Sequence, residues 1–157
     1  MKEIIDKVTD SIKQAPDFYY RLIIIVGPPA MGKTRILEQL LKSTGAPVIN
    51  VNQELARQML ELTERQRMLS AGSILTKLVD NANNTLVLLD NTEILFDVNL
   101  KLDPIRLLQG ISRDKTIVAA WNGRVDKGYL YYADYEHPEY KKYAIKDFVV
   151  INLEDND

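Results

Sequence analysis

The sequence predicts an α/β fold: a P-loop-type three-layer αβα sandwich on a five-stranded parallel sheet of order 5-1-4-3-2. Three observations lead there. Apolar runs at 23–26, 86–89, 116–121 and 148–153 alternate with amphipathic stretches, and parallel strands covered on both faces read as such continuous runs. Residues 21–34, RLIIIVGPPAMGKT, carry G-x-x-x-x-G-K-T directly behind an aliphatic run, the strand–loop–helix form of a phosphate-binding loop. Finally, Asp90 closes a second apolar run, LVLLD. Two ligand-type features thus fall at strand C-terminal ends, where open α/β sheets bind ligands.

The elements follow in order. Ile4, Ile5, Val8 and Ile12 recur at helical spacing, which predicts a helix over 1–15 packed on the core. Phe18, Tyr19 and Tyr20 lead into the first strand; core packing accounts for at least two of these rings, and one is a candidate for contact with a bound base. After the loop, Ile36, Leu37, Leu40 and Leu41 form one helical stripe, with Gly45 suited to end it. PVINVN, 47–52, alternates and is β-branched, so it reads as strand two. A helix is expected over 53–62, a polar joint over 63–67, and another helix from Ser70. Strand three is 86–90. Asp103-Pro104 opens a helix as N-cap and N1. Strand four, 116–121, ends at Asn122-Gly123. Residues 124–147 hold six of the eight tyrosines and read as a hairpin excursion around a strand at 129–132. Strand five is 148–153. The domain expected is a single one over 1–157.

Composition narrows the class. The 157 residues suffice for one sizeable core. A net charge of −2 argues against a generally basic nucleic-acid surface. The chain has no Cys and one His, His137, which excludes disulfides, thiolate metal sites and a multi-His centre within one chain. Its longest apolar run, 22–26, is too short to cross a bilayer, and the charged N-terminus is not a signal peptide. A cytoplasmic protein is expected.

The loop chemistry is specific. Gly27 and Gly32 let the backbone turn and approach an anion; loop amides around 29–34 and the following helix N-terminus favour negative charge. The nucleotide contacts expected are Gly27, Pro28, Pro29, Ala30, Met31, Gly32, Lys33, Thr34 and Arg35. Lys33 would meet the β- and γ-phosphates, and Thr34 and Asp90 would hold Mg²⁺ of MgATP. ATP is weakly favoured over GTP because no N-K-x-D string is present. For the catalytic carboxylate, Asn91 stands directly after Asp90. Glu93 is the nearest acid, either positioning water or serving as a first-turn helix carboxylate. Asn122 is a candidate contact for the γ-phosphate or the attacking water, or else a turn residue. Arg113 and Arg124 are candidate arginine fingers for a neighbouring copy, or solvated charges. In YLYYADYEHPEYKKY, the acids offset Lys141 and Lys142, so an interaction surface or a self-packed hairpin is favoured over base stacking.

Four strings go beyond a generic P-loop: PVINVNQELARQMLELTERQR, LLDNTEILFD, DPIRLLQGISRDKTIVAAWNG and YADYEHPEYKKY. Together they resemble BrxF, the family of small P-loop proteins of type 3 BREX phage-defence systems, over roughly residues 20–150. The resemblance implies a place in a bacterial defence complex, with a DNA methyltransferase and a large ATPase as partners and DNA reached through them. A partial similarity to AAA+ ATPases places Asn122 at their polar sensor position. It departs from them in lacking a Glu after Asp90 and the helical lid after the last strand, so the base would be less enclosed or completed by a partner. The function expected is a Mg²⁺-dependent ATP-binding switch or small ATPase. The alternatives are a non-hydrolysing assembly module and, below it, a small-molecule kinase.

Overall fold

The computed structural model describes residues 2–154. Its centre is β1 (Leu22–Gly27), buried along its whole length. On one side β1 pairs in parallel with β4 (Thr116–Asn122), and on the other with β8 (Val149–Asn152). Beyond β4 lie β3 (Leu86–Asp90) and then β2 (Val48–Asn50), also parallel, giving β2-β3-β4-β1-β8. This is the 5-1-4-3-2 order expected among the five strands of the main sheet. With the Gly-rich loop after β1 and the acidic strand β3 one place beyond β4, it is the additional-strand P-loop NTPase fold.

Period-two alternation divides β1 between two cores. Ile23 and Ile25 face α1 (Lys2–Gln14) and α2 (Lys33–Thr44), meeting Val8, Ile36, Leu37 and Leu40. Leu22, Ile24 and Val26 face α3 (Val51–Gln58), α4 (Glu64–Asn81) and α5 (Pro104–Ile111), through Leu55, Leu75, Val79 and Leu108. Each such fully buried aliphatic side chain stabilises by about 1.5–3 kcal/mol, so both helix layers are anchored on the loop strand. Gly45 ends α2 in the left-handed region at φ 73° and returns its N–H to Leu41 O.

The structure departs from expectation in several places. Strand two is only β2, because Asn50 caps α3 by accepting from Gln53 N, and the helix begins at Val51. The supposed polar joint is the first turn of α4: Thr63 and Gln66 form a reciprocal capping box, which starts the helix well before Ser70. After β3 the chain makes two short 3₁₀ turns, Glu93–Phe96 and Val98–Leu100.

The tyrosine-rich stretch forms a second, antiparallel sheet of β5 (Arg124–Asp126), β6 (Tyr129–Tyr132) and β7 (Lys141–Ala144). Leu130 is fully buried in the α3–α5 core, with Val125, Tyr132 and Tyr143 packed against it. Trp121 Nε1 donates to Tyr131 O at 3.0 Å. Gly123 lies under that carbonyl, where a Cβ would come within 2.0 Å of the oxygen. Among the described residues no helix follows β8, and none is long and apolar enough to cross a membrane.

Candidate functional site

All the polar groups of the site sit at the C-terminal edge of the main sheet, because the buried strands leave polar atoms only at their ends. β1 runs into the loop at Gly27, where a Cβ would press on Leu153 at 3.2 Å. Ala30 and Gly32 take positive φ, 64° and 98°, turning the chain sharply so that α2 starts at Lys33. Lys33 is buried, and its Nζ donates back to Gly27 O at 2.9 Å and Pro28 O at 2.7 Å. Burial lowers its pKa, while the Glu93 and Asp90 carboxylates act in the opposite sense. The ammonium is thus held by loop carbonyls and faced by two acids.

One helix position on, Thr34 Oγ1 donates to Asp90 Oδ2 at 2.8 Å. Asp90 is 7% exposed at the end of β3, and its other oxygen accepts from Asn91 N at 2.9 Å. Asn91 adopts φ 50°, which swings the chain off the strand. Thr92 then anchors the turn, its buried hydroxyl donating to Ala120 O at 2.6 Å.

Glu93, like Asp90, has both carboxylate oxygens engaged. Asn122 Nδ2 donates to its Oε1 at 2.6 Å, and Asn52 Nδ2 to its Oε2 at 3.2 Å. Asn52 is itself fixed: its Oδ1 accepts from Ile94 N at 2.7 Å and its N–H donates to Asn91 O at 2.8 Å. Sequence reasoning missed Asn52. The available signal was its place just past the end of β2, on the same sheet edge as Asp90 and Asn122.

These groups surround a cavity of about 720 Å³, lined by residues 29–35 of the loop and helix start, Glu38, residues 90–93, Ala120 and Asn122. Of the expected loop contacts, Gly27 and Pro28 lie behind this lining, touching the site through the carbonyls that hold Lys33. Neither candidate arginine lines it. Arg124 lies over the Tyr131 ring at 4.1 Å, in a neighbouring cavity. Arg113 lies over Tyr19 at 4.5 Å, just before β4 and so at the opposite end of the sheet. Phe18, Tyr19 and Tyr20 are also at that end, lining a separate hollow with Phe148. The six residues of β1, about 20 Å of strand, separate them from the loop.

Oxygen donors from Thr34 and Asp90 suit a hard cation that keeps waters and phosphate oxygens as its other ligands, as Mg²⁺ does. Among the described residues there is no cluster of three or more His, Cys, Asp or Glu able to hold a metal by itself.

No protein-family model matches the chain, and no curated protein does. Solved structures do. The Walker-type ATPase PABY2304 of Pyrococcus abyssi aligns with 96% of this chain at 14% identity and a TM-score of 0.46. PCH-2 of C. elegans aligns with 99% at 17% identity and a TM-score of 0.46. The chain spans only 52% and 41% of their respective lengths.

Proposed function

We propose that this chain is a Mg²⁺-dependent ATP-binding domain that acts as a switch or slow, partner-activated ATPase. The observation that carries the reading is the Thr34–Asp90 contact at 2.8 Å beside the buried Lys33. With all three lining one cavity, it supports reading Thr34 and Asp90 as the metal ligands and Lys33 as the phosphate contact. On binding, the Lys33 ammonium exchanges the Gly27 and Pro28 carbonyls for phosphate oxygens, and the loop amides stabilise charge on the terminal phosphate. Thr34 and Asp90 would hold Mg²⁺, which would supply neutralisation of phosphate charge. Glu93 accepts a proton from, or orients, the attacking water, and Asn122 positions both.

The role within a BREX-type phage-defence complex, in the cytoplasm, with a methyltransferase and a large ATPase as partners, is supported by the four sequence strings that resemble BrxF. DNA would be met through those partners. Arg113, held far from its own chain's phosphates, is suited to a neighbouring copy; Arg124 lies nearer its own site. The division of the chain into one domain over 1–157 belongs to the same reading.

The test uses purified protein and MgATP. Lys33→Ala is expected to weaken ATP binding about 100-fold, the scale of a lost charge-assisted contact network. Glu93→Gln is expected to bind ATP normally while turnover falls about 100-fold or more. Wild-type turnover no greater than that of Lys33→Ala, alone and with partner proteins added, sinks the hydrolytic reading. A second reading, a non-hydrolysing assembly module, is favoured by one observation: both Glu93 oxygens are engaged by asparagine amides. It predicts tight MgATP binding with background turnover.

A further inference from the structure

Beside the phosphate cavity lies a second one of about 460 Å³, sharing Pro29 and Asn122 with the first. Pro28 and Pro29 wall one side, and Tyr131 and Tyr132 of β6 line it as well. Asp134, Glu139 and Glu154 also line it. Among the described residues the one ion pair is Arg57 with Glu54, so none of these three carboxylates is salt-bridged, and they outnumber the one arginine of the lining, Arg124. The chain itself shows what the wall can hold: the Arg124 guanidinium rests on the Tyr131 ring, 4.1 Å from its centre. Aromatic side chains beside carboxylates in excess over the one arginine attract cations, and the volume lies in the range of ligand sites.

We infer that this cavity binds an organic cation, a guanidinium or ammonium group on an apolar stem, and that its occupant acts on Glu93. Two contacts connect them. Asn122 lines both cavities and donates to Glu93 Oε1 at 2.6 Å. Tyr132 lies flat on Phe96, with centroids 3.5 Å apart and planes 6° from parallel, and Phe96 closes the 3₁₀ turn that Glu93 opens. An occupant that shifts Tyr132 or Asn122 therefore shifts the Glu93 turn. The Tyr132 phenol is pushed up to about 12 by burial first, then by Glu139 and Glu93, in keeping with a negative potential on this wall. Cation binding stands independently of the nucleotide reading; only the consequence of moving Glu93 rests on it.

Trp121, the single tryptophan, reports on the site, its ring 6.2 Å from that of Tyr132 and 4.8 Å from that of Phe96. The full chain, without nucleotide, is titrated by fluorescence with a capped tripeptide bearing a central arginine, with spermidine, and with the glutamate counterpart of the tripeptide. A saturable change with a cation and none with the glutamate peptide is expected. Tighter binding of the peptide identifies the source as a protein side chain, and tighter binding of spermidine identifies a small polyamine. The double variant Asp134→Asn, Glu139→Gln should weaken binding about fivefold or more, the loss of two partly exposed charge partners, with an unchanged melting temperature. Thr34→Ala, whose hydroxyl bonds Asp90 and lines only the first cavity, should leave cation binding unaltered, which separates this site from the nucleotide's. No saturation with either cation, or equal affinity in the double variant, overturns the site. Coupling is read from the NMR signal of the Asn52 side-chain amide, which touches Glu93 but does not line the cavity. It should shift at saturation, and a fixed signal overturns the coupling.

Discussion

The two sheets solve different packing problems. In the parallel sheet, every residue of β1 and β3 is buried between helix layers. Polar chemistry is confined to the strand ends, on a rigid edge. In the small sheet, β6 has one fully buried residue, Leu130, and β7 alternates between partly buried and exposed positions. It is held by a few specific contacts: Trp121 to Tyr131 O, Phe96 on Tyr132, and Tyr143 OH to Asp103 Oδ1 at 2.9 Å. The large sheet therefore fixes the loop, Lys33 and Asp90, whereas the small one is an attachment whose hold on the site runs through individual side chains.

Single substitutions can break that contrast. The largest effect is expected at Phe96, 2% exposed and packed on both Trp121 and Tyr132. Phe96→Ala should cost about 3–4 kcal/mol in denaturant unfolding and alter Trp121 fluorescence. A cost below about 1 kcal/mol, the scale of an ordinary substitution, would mean that the small sheet is anchored elsewhere. Asn52→Ala should act on the other region alone. It removes the contacts with Glu93 Oε2 and Ile94 N at a cost of about 1–3 kcal/mol, leaves the Trp121 spectrum unchanged, and raises turnover by freeing Oε2.

The smallest effect is alkaline. The Tyr132 phenol titrates near 12 when folded and near its ordinary 10.0 when unfolded. Its contribution is fully present below pH 10 and is lost as pH rises towards 12, because the unfolded chain releases that proton first. Tyr132→Phe should flatten the fall of melting temperature across that window. An unchanged slope would show that the ring is open to water.

What was legible in the sequence follows the same division. The loop, Asp90 and the strand order could be read because buried parallel strands are apolar runs and their ends carry the polar residues. The α4 start was written in Thr63-x-x-Gln66, a signal outweighed by the charged residues around it. Asn52 was hidden because an asparagine near a strand end resembles any turn residue until β2 is set beside β3 and Glu93 is brought across. Arg113 and the aromatics at 18–20 show the converse. Each precedes its strand and so enters at the N-terminal end, away from the site edge, however close it stands to a site strand along the chain.

The order of pairing in the main sheet has a consequence for synthesis. β1 is the first of its strands to be made, yet its neighbours are the last: Leu22 pairs with Ile117, and Ile23 with Val149. At about 5–20 residues per second, this wholly apolar strand waits several seconds for either edge to be covered. Until then the cavity at the sheet edge does not exist, and LIIIVG is an open template for mispairing with another nascent chain. Productive folding of this protein should therefore depend on how well that one segment is shielded while the rest is made.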